Sequence, residues 1–523
     1  MSDAYGESRD APFQSATGGG RWRSVTTTAV GLALLSALFA VANVLRWIPT
    51  EGVVLATGVP TLYGVALVVA GGITAGAGLA SALGVVSTNA NDVSGGVSGA
   101  TTGALVFAVV GLVGSQTLGL PAFAWFAAAV VCGGGAFLLG AFGREDLTAT
   151  LPRGGLAVLV GAVFLTDVIT PAWSWSPVGF GFAFTGTIAI PGLTLLAGLL
   201  TASAAARAAR GFGARGRQTG AYLLIGANAF FMLGLLALLV GFVVEKGAGR
   251  AFAGARLGPG LAVHVPFLTN GTGLGVDLPG VYPAIVGTFW LVLGAVVFSV
   301  PLGVGAAVFL SEYAERGRFT AVVDVATDGL WSMPSIVYGL FGWAFLLPRL
   351  SESGRANVLA GMLVLGFMLI PLVLITSREA IQTVPDAYRD ASVALGVGRW
   401  QTIRSVVLPA AVPGIVTGVI LGVGRIAGET APIILVAAGS LNGEAIRVVE
   451  GFRFTSSPPF VANDALLSAT NALPYQIYAI IEHGVGGREA FGWATAFVLL
   501  VVVICFYAVG IATRLYFQRQ LEQ

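Results

Sequence analysis

Ionisable side chains are scarce in this 523-residue chain, so those that interrupt apolar runs are its candidates for chemistry. The clearest are Arg425 and Glu429 in Gly424-Arg425-Ile426-Ala427-Gly428-Glu429-Thr430-Ala431-Pro432, inside a run otherwise apolar from Ile415 to Ala438. Read as helix, their i, i+4 spacing puts both charges on one face. Such a pair is either a structural ion pair or a positive, partly neutralised point on a path for anions. Thr430 adds a polar neighbour that suits the second reading.

Other chemistries drop out on composition. A P-loop places a lysine after a glycine and before Ser or Thr, so that the ammonium reaches the terminal phosphates. Here the basic residues are 26 arginines and one lysine, Lys246, in Val244-Glu245-Lys246-Gly247. No catalytic residue is expected, and any ATP and Mg that drive the protein act on another polypeptide. His264 and His483 are far apart and lack metal-ligand spacing, so no metal site is expected. Cys132 and Cys505 each lie in an apolar run and read as packed small hydrophobes. A net charge of +2 without a basic block gives no nucleic-acid footprint.

The elements that must position these residues follow from hydropathy. Hydrophobic residues make up 56% of the chain and charged ones 10%, with a mean hydropathy of +0.87. Soluble domains carry about 25% charged residues, so much of this surface must meet lipid rather than water. Runs of about 20 apolar residues predict an all-α, polytopic transmembrane bundle of about 12 spans. Residues 1–24 read as a polar tail, and the first apolar run reads as a retained span rather than a cleaved signal. Six spans are expected in residues 25–217, near 26–46, 61–86, 99–118, 121–142, 154–171 and 180–205. Asp167 marks either an ion route there or the end of a helix. Six more fall in 218–523, near 219–244, 281–311, 325–348, 356–376, 411–438 and 490–514. Arginines cluster at 207–217, at 316 and 318, between 378 and 404, and at 514 and 519. All of these fall on one side of a twelve-span chain, predicting a multi-pass protein of the prokaryotic plasma membrane with both termini cytoplasmic.

The longest polar stretch on that side is 377–409. Pro385 and Gly396 punctuate it into two short helices, about 386–395 and 400–407. Tyr388, Ala391 and Leu395 form one apolar stripe, and Trp400, Ile403 and Val407 another. Asp390-Ala391-Ser392, three residues, Gly396, nine residues, then Val406-Val407-Leu408-Pro409 resembles the EAA loop of ABC importer permeases, with mild substitutions and every spacing kept. Glu312-Tyr313-Ala314-Glu315-Arg316, Met333-Pro334-Ser335-Ile336-Val337-Tyr338-Gly339-Leu340-Phe341-Gly342, Gly-Glu-Thr-Ala-Pro at 428–432 and Leu473-Pro474-Tyr475-Gln476-Ile477-Tyr478 complete the set. Residues 221–517 together resemble the PstA family, the A-type permease subunits of the phosphate ABC importer.

That resemblance implies a six-helix type I importer permease core over 218–523, with 377–409 as its coupling loop. Asp390, Ala391, Gly396, Trp400, Leu408 and Pro409 would meet a separate ATPase, and Arg425, Glu429 and Thr430 would line the translocation pathway. The implied partners are a second, C-type permease, two ATPase copies, an external phosphate-binding protein, phosphate and the lipid bilayer. The first block lies outside the resemblance. A second fused permease is not expected there, because its loops near 87–98 and 143–153 are too short for two coupling helices. Two alternatives stay open: a permease for another oxyanion such as sulfate or molybdate, and a secondary transporter driven by an ion gradient. The last requires broken helices at matching positions of two halves, and the sequence offers no evident shared motif.

Overall fold

The computed structural model describes residues 19–521 apart from 55, 91–95, 142–143, 177–180, 182, 258–262, 272–278, 316, 352–353, 440–443, 457–459 and 483–488. His483, Arg316 and most of the polar tail lie outside the described residues. The all-α membrane architecture forms as expected. Among the described residues eleven helices are long and apolar enough to cross a bilayer, and a twelfth crossing results if one bent helix pair is a single span. Lipid offers no partner to a backbone N–H or C=O, so a chain this apolar closes its hydrogen bonds within helices. Described strand is confined to four short antiparallel hairpins.

The chain forms two compact units, Met1–Leu235 and Leu236–Gln523, divided inside one long helix. The first contains α1 (Gly19–Val44), β1 (Val53–Val54), β2 (Thr57–Gly58), α2 (Val59–Ala82), α3 (Gly96–Leu112), α4 (Ala122–Ala141), α5 (Glu145–Leu165), β3 (Ser174–Trp175), β4 (Phe184–Thr185), α6 (Gly186–Ala209) and the start of α7 (Gly213–Ala251). Two parts of this unit share one build. Two residues beyond the end of α1, Arg46 takes φ 60°, and two beyond the end of α5, Asp167 takes φ 54°, a conformation few non-glycine residues adopt. Each turn leads into a hairpin and then a 24-residue helix. Each of those helices is followed two residues later by a left-handed glycine, Gly84 at φ 73° and Gly211 at φ 72°. Helix α2 packs on α5 and α1 packs on α6. These pairings exchange when the two copies are swapped, so the unit has an internal two-fold arrangement of parallel repeats. Small residues line both contacts: Gly71 faces Ala157 and Gly198 faces Ala37. Asp167 therefore marks a helix end, exposed beyond α5. The two cysteines are also exposed, on the outer surfaces of their helices rather than in packed cores.

The second unit continues through β5 (Arg256–Leu257), β6 (Val263–His264), α8 (Pro266–Thr269), α9 (Tyr282–Val308), α10 (Arg318–Ser332), α11 (Ser335–Phe341), α12 (Leu347–Leu350), α13 (Val358–Gln382), α14 (Asp386–Ala394), α15 (Arg399–Thr402), α16 (Leu408–Ala427), α17 (Ala431–Val436), β7 (Phe452–Phe454), β8 (Val461–Asn463), α18 (Leu473–Glu482) and α19 (Glu489–Leu521). Its centre is α13, whose buried Val364, Leu365 and Leu369 pack with Leu291 and Ala295 of α9 and Ile426 of α16. Gly414, Gly418 and Gly422 give α16 a small-residue stripe against Ala380, Thr376 and Leu369 of α13, and a Cβ at Gly418 would collide with the Thr376 side chain.

Two expected spans are broken. The run near 325–348 is a pair of helices, Arg318–Ser332 and Ser335–Leu350, bent by 101°. Pro334 lacks the N–H that would carry α10 onward. The run near 411–438 stops at Ala427, turns at Gly428 and restarts as α17. Glycine and the following Pro432 both oppose continuous helix there.

The repeat predicts paired cross-links. With Cys132 and Cys505 replaced by alanine, Gly71→Cys with Ala157→Cys and Ala37→Cys with Gly198→Cys should each oxidise to an intramolecular disulfide in membranes, the ideal Cβ positions lying 3.0 and 3.5 Å from their partners. Mass spectrometry of peptic fragments reads both, and a link in one copy only would break the two-fold arrangement.

Candidate coupling and translocation sites

The 377–409 loop folds as two helical pieces on a firm base. α14 covers Asp386–Ala394 and ends in a glycine cap: Gly396 takes φ 70° and donates to the Val393 carbonyl at 2.9 Å, while Val397 N–H reaches the Ser392 carbonyl at 3.0 Å. This is a Schellman termination, and it reverses the chain on the residue the sequence marked as a break. The second piece differs from expectation. Instead of a separate helix ending before Pro409, α15 passes through a π-helical turn, Ile403–Val407, into α16, so one helix runs from Arg399 to Ala427. The wide turn accommodates Pro409, which lacks a backbone donor.

The two apolar stripes consequently part company. Tyr388, Val393, Leu395 and Trp400 are exposed, whereas Ile403 and Val407 are buried against Val308, Ile381 and Ala411. Asp390, Ala391 and Gly396 share the exposed surface, with Leu408 and Pro409 half-buried at its root.

Arg389 fastens this surface to the unit. Its guanidinium donates to Glu312 Oε1 from Nη2 at 2.8 Å and from Nε at 3.2 Å, to the carbonyls of Val384 at 2.8 Å and Ile381 at 3.2 Å, and to Asp386 Oδ1 at 3.2 Å. Glu312 is buried in the π-helical turn that ends α9. The neighbouring Tyr313 ring takes the Arg399 guanidinium at 5.0 Å. Both helical pieces are thus tied to residues 312–313. Arg378 of α13 binds Asp324 of α10 at 2.5 Å and adds α10 to the same base. Sequence reading singled out neither Arg389 nor its link to Glu312. The available signal was an acid and an arginine bordering apolar runs on one predicted side, which leaves the pairing open.

The second candidate group gathers at the break between α16 and α17, about 25 Å of helix rise beyond Leu408. Arg425, Glu429 and Thr430 are brought together there, but not on one helical face. Glu429 and Thr430 lie past the end of α16, and Arg425 Nε is 4.0 Å from Glu429 Oε1. That is the outer limit of an ion pair. The guanidinium carbon also lies over the ring of Trp331, near the end of α10, 4.4 Å from its centroid. Trp331 is a residue the sequence did not single out. Its helix end is held by Tyr338 of α11, which donates to the Leu330 carbonyl at 2.8 Å.

A family model, the binding-protein-dependent transport system inner membrane component, matches residues 299–517, wholly inside the second unit. The phosphate transport system permease protein PstA of Haemophilus influenzae is 31% identical over 260 residues, which is 50% of this chain and 83% of that protein. Its Yersinia pestis counterpart is 32% identical, over 46% of this chain and 73% of its own length. The chain belongs to the PstA family of binding-protein-dependent permeases. Its relatives are permease subunits, so this is a transport component and not an enzyme. A solved bacterial ABC transporter for the import of alginate aligns with 56% of the chain at 17% identity and a TM-score of 0.35, a likeness that carries no weight here.

In the permease, Arg389→Ala should raise amide hydrogen exchange across 386–407 about tenfold or more, the scale of a lost charge-assisted hydrogen bond, with α9 and α13 keeping their protection. Unchanged exchange would mean that Ile403 and Val407 hold the loop by packing alone.

Proposed function

We propose that this chain is the A-type permease subunit of an ATP-driven ABC importer for inorganic phosphate in a prokaryotic plasma membrane. It forms half of the translocation pathway with a related C-type permease. Two copies of a separate ATPase dock on the 377–409 loop, and an external binding protein delivers the anion. The loop side is cytoplasmic on the positive-inside rule, and twelve crossings, with the bent pair Arg318–Ser332 and Ser335–Leu350 as one, would put both termini there. Phosphate as the cargo rests on the names of the relatives and on the arginine that the second unit keeps at the α16–α17 break.

The observation that carries the coupling role is the anchored, exposed face of α14 and α15. A large apolar surface of Tyr388, Val393, Leu395 and Trp400 facing away from the unit suits a protein partner. Its fastening through Arg389 suits force transmission, since a push on α14 is carried through Glu312 to α9 and through α15 directly into α16. Closure of the ATPases then moves α16 and the Arg425 end of the pathway, switching access between the two sides of the membrane. ATP and Mg act on the ATPase polypeptides. This chain supplies position, a docking face and one positive charge for the anion.

The test is labelled phosphate uptake into proteoliposomes holding this chain with its C-type permease, ATPase and binding protein, with and without internal ATP and with competing sulfate. Uptake that requires ATP and ignores sulfate is expected. Uptake inhibited by sulfate would move the cargo to another oxyanion, and uptake by this chain alone on an ion gradient would replace the importer with a secondary transporter. In the same vesicles Arg425→Ala should abolish uptake while assembly and ATP hydrolysis persist. Loss of assembly instead would make Arg425 a structural residue.

A further inference from the structure

Arg425 has two contacts, and they are unequal. The indole of Trp331 lies under the guanidinium at 4.4 Å, and Glu429 Oε1 stands off at 4.0 Å. Among the described residues Arg425 donates no hydrogen bond from its side chain. A carboxylate and a guanidinium so close in sequence would ordinarily close to a fork of two hydrogen bonds at about 2.7–2.9 Å. The Gly428 turn carries the carboxylate past the end of α16, and the indole competes with it for the guanidinium.

We propose that Trp331 is a positioning residue of the translocation path: its indole holds Arg425 by the face of the guanidinium, off Glu429, so that the N–H edge stays open to a tetrahedral oxyanion. The inference rests on the reading of Arg425 as the anion-binding point. A stacked guanidinium is engaged through its π face, while its five N–H donors lie in the plane and remain available for bidentate contact with phosphate-like oxygens. Direct pairing with Glu429 would consume that edge and cancel the charge.

Neighbouring structure holds the stretch of α10 that carries the indole. Trp331 ends α10 immediately before the Met333–Pro334 bend, where the chain turns by 101°. Tyr338 reaches back across the bend to the Leu330 carbonyl, at 2.8 Å, and pins the residue next to Trp331. Further down α10, Arg378 of α13 grips Asp324. On another face of α16, the Tyr507 hydroxyl of α19 sits against Gly424. The base of the arginine is therefore confined on one side while the indole meets its head on another.

The experiment uses the complete importer in proteoliposomes, with labelled phosphate and labelled sulfate measured in parallel and complex assembly quantified for every variant. Trp331→Ala should lower uptake about tenfold at unchanged assembly and unchanged ATP hydrolysis, a loss on the scale of a partly desolvated cation–π contact. Trp331→Phe, which keeps a π face, should retain most of the activity. Trp331→Leu keeps apolar bulk without a π face and should behave like Trp331→Ala; it decides the matter if the alanine variant fails to assemble. Uptake within twofold of wild type in an assembled Trp331→Leu complex overturns the proposal. A wild-type complex that carries sulfate and not phosphate removes the cargo reading and leaves the role of Trp331 to be read on sulfate. A wild-type complex inactive with both anions removes the anion-binding reading and this proposal with it.

Discussion

A charge placed where water is scarce has to be held by neighbouring groups, and the permease holds Arg389 and Arg425 in opposite ways. Arg389 makes hydrogen bonds to Glu312, to Asp386 and to two backbone carbonyls. Its donors are spent, and breaking one partner would leave the others poorly satisfied. Arg425 has an aromatic face and one carboxylate at 4.0 Å. The first arrangement ties α14 to α9, and the second leaves the guanidinium donors without a hydrogen-bond acceptor among the described residues. In the proposed importer, docking, force transfer and translocation would rest on this contrast between a saturated guanidinium and an unsaturated one.

Breaks in the helices create that contrast. A straight helix through 411–438 would put Glu429 directly above Arg425 and favour close pairing. The Gly428 turn instead carries the carboxylate off the end of α16. The Pro334 bend stops α10 just where Trp331 can meet the guanidinium. Backbone irregularity inside a membrane protein is costly unless protein buries it or it lines a wet cavity. Both breaks here sit next to the same arginine. The glycine stripe of α16 against α13 then lets an otherwise continuous helix pass from the coupling loop to that point without a gap in packing.

Much of this was legible in the sequence. Apolar run length located nearly every crossing helix, because hydropathy and length are what lipid selects for. Pro385 and Gly396 located the loop helices, because missing donors and left-handed φ act locally. What failed were statements needing knowledge of the third dimension. The stripe of Trp400, Ile403 and Val407 is a sound helical pattern, but the helix runs on into a span whose far side is packed, so two of the three are core. The i, i+4 reading of Arg425 and Glu429 assumed a helix that Gly428 ends. Trp331 was one of many aromatics in apolar runs, and only the bend brings it to Arg425. The repeat in the first unit escaped because its copies share backbone turns and the length of their second helix while their side chains have diverged: the residues that take positive φ are Arg46 in one and Asp167 in the other.

The loose setting of Arg425 also answers to what a transporter must do. A guanidinium with a full set of fixed donors around it would form a tight oxyanion site, and tight binding slows release on the far side. Conduction needs a site favourable enough to enter and weak enough to leave. On the proposed reading, a single arginine, partly exposed, with a carboxylate at 4.0 Å meets both requirements: its free edge would attract the anion, and the nearby negative charge would limit the gain. An oxyanion that draws the guanidinium toward itself gives up part of the stacking on the indole, and its departure lets the ring recover the cation. In the proposed path Trp331 and Glu429 would act on the same group from two directions, one setting where the charge points and the other setting how strongly it holds.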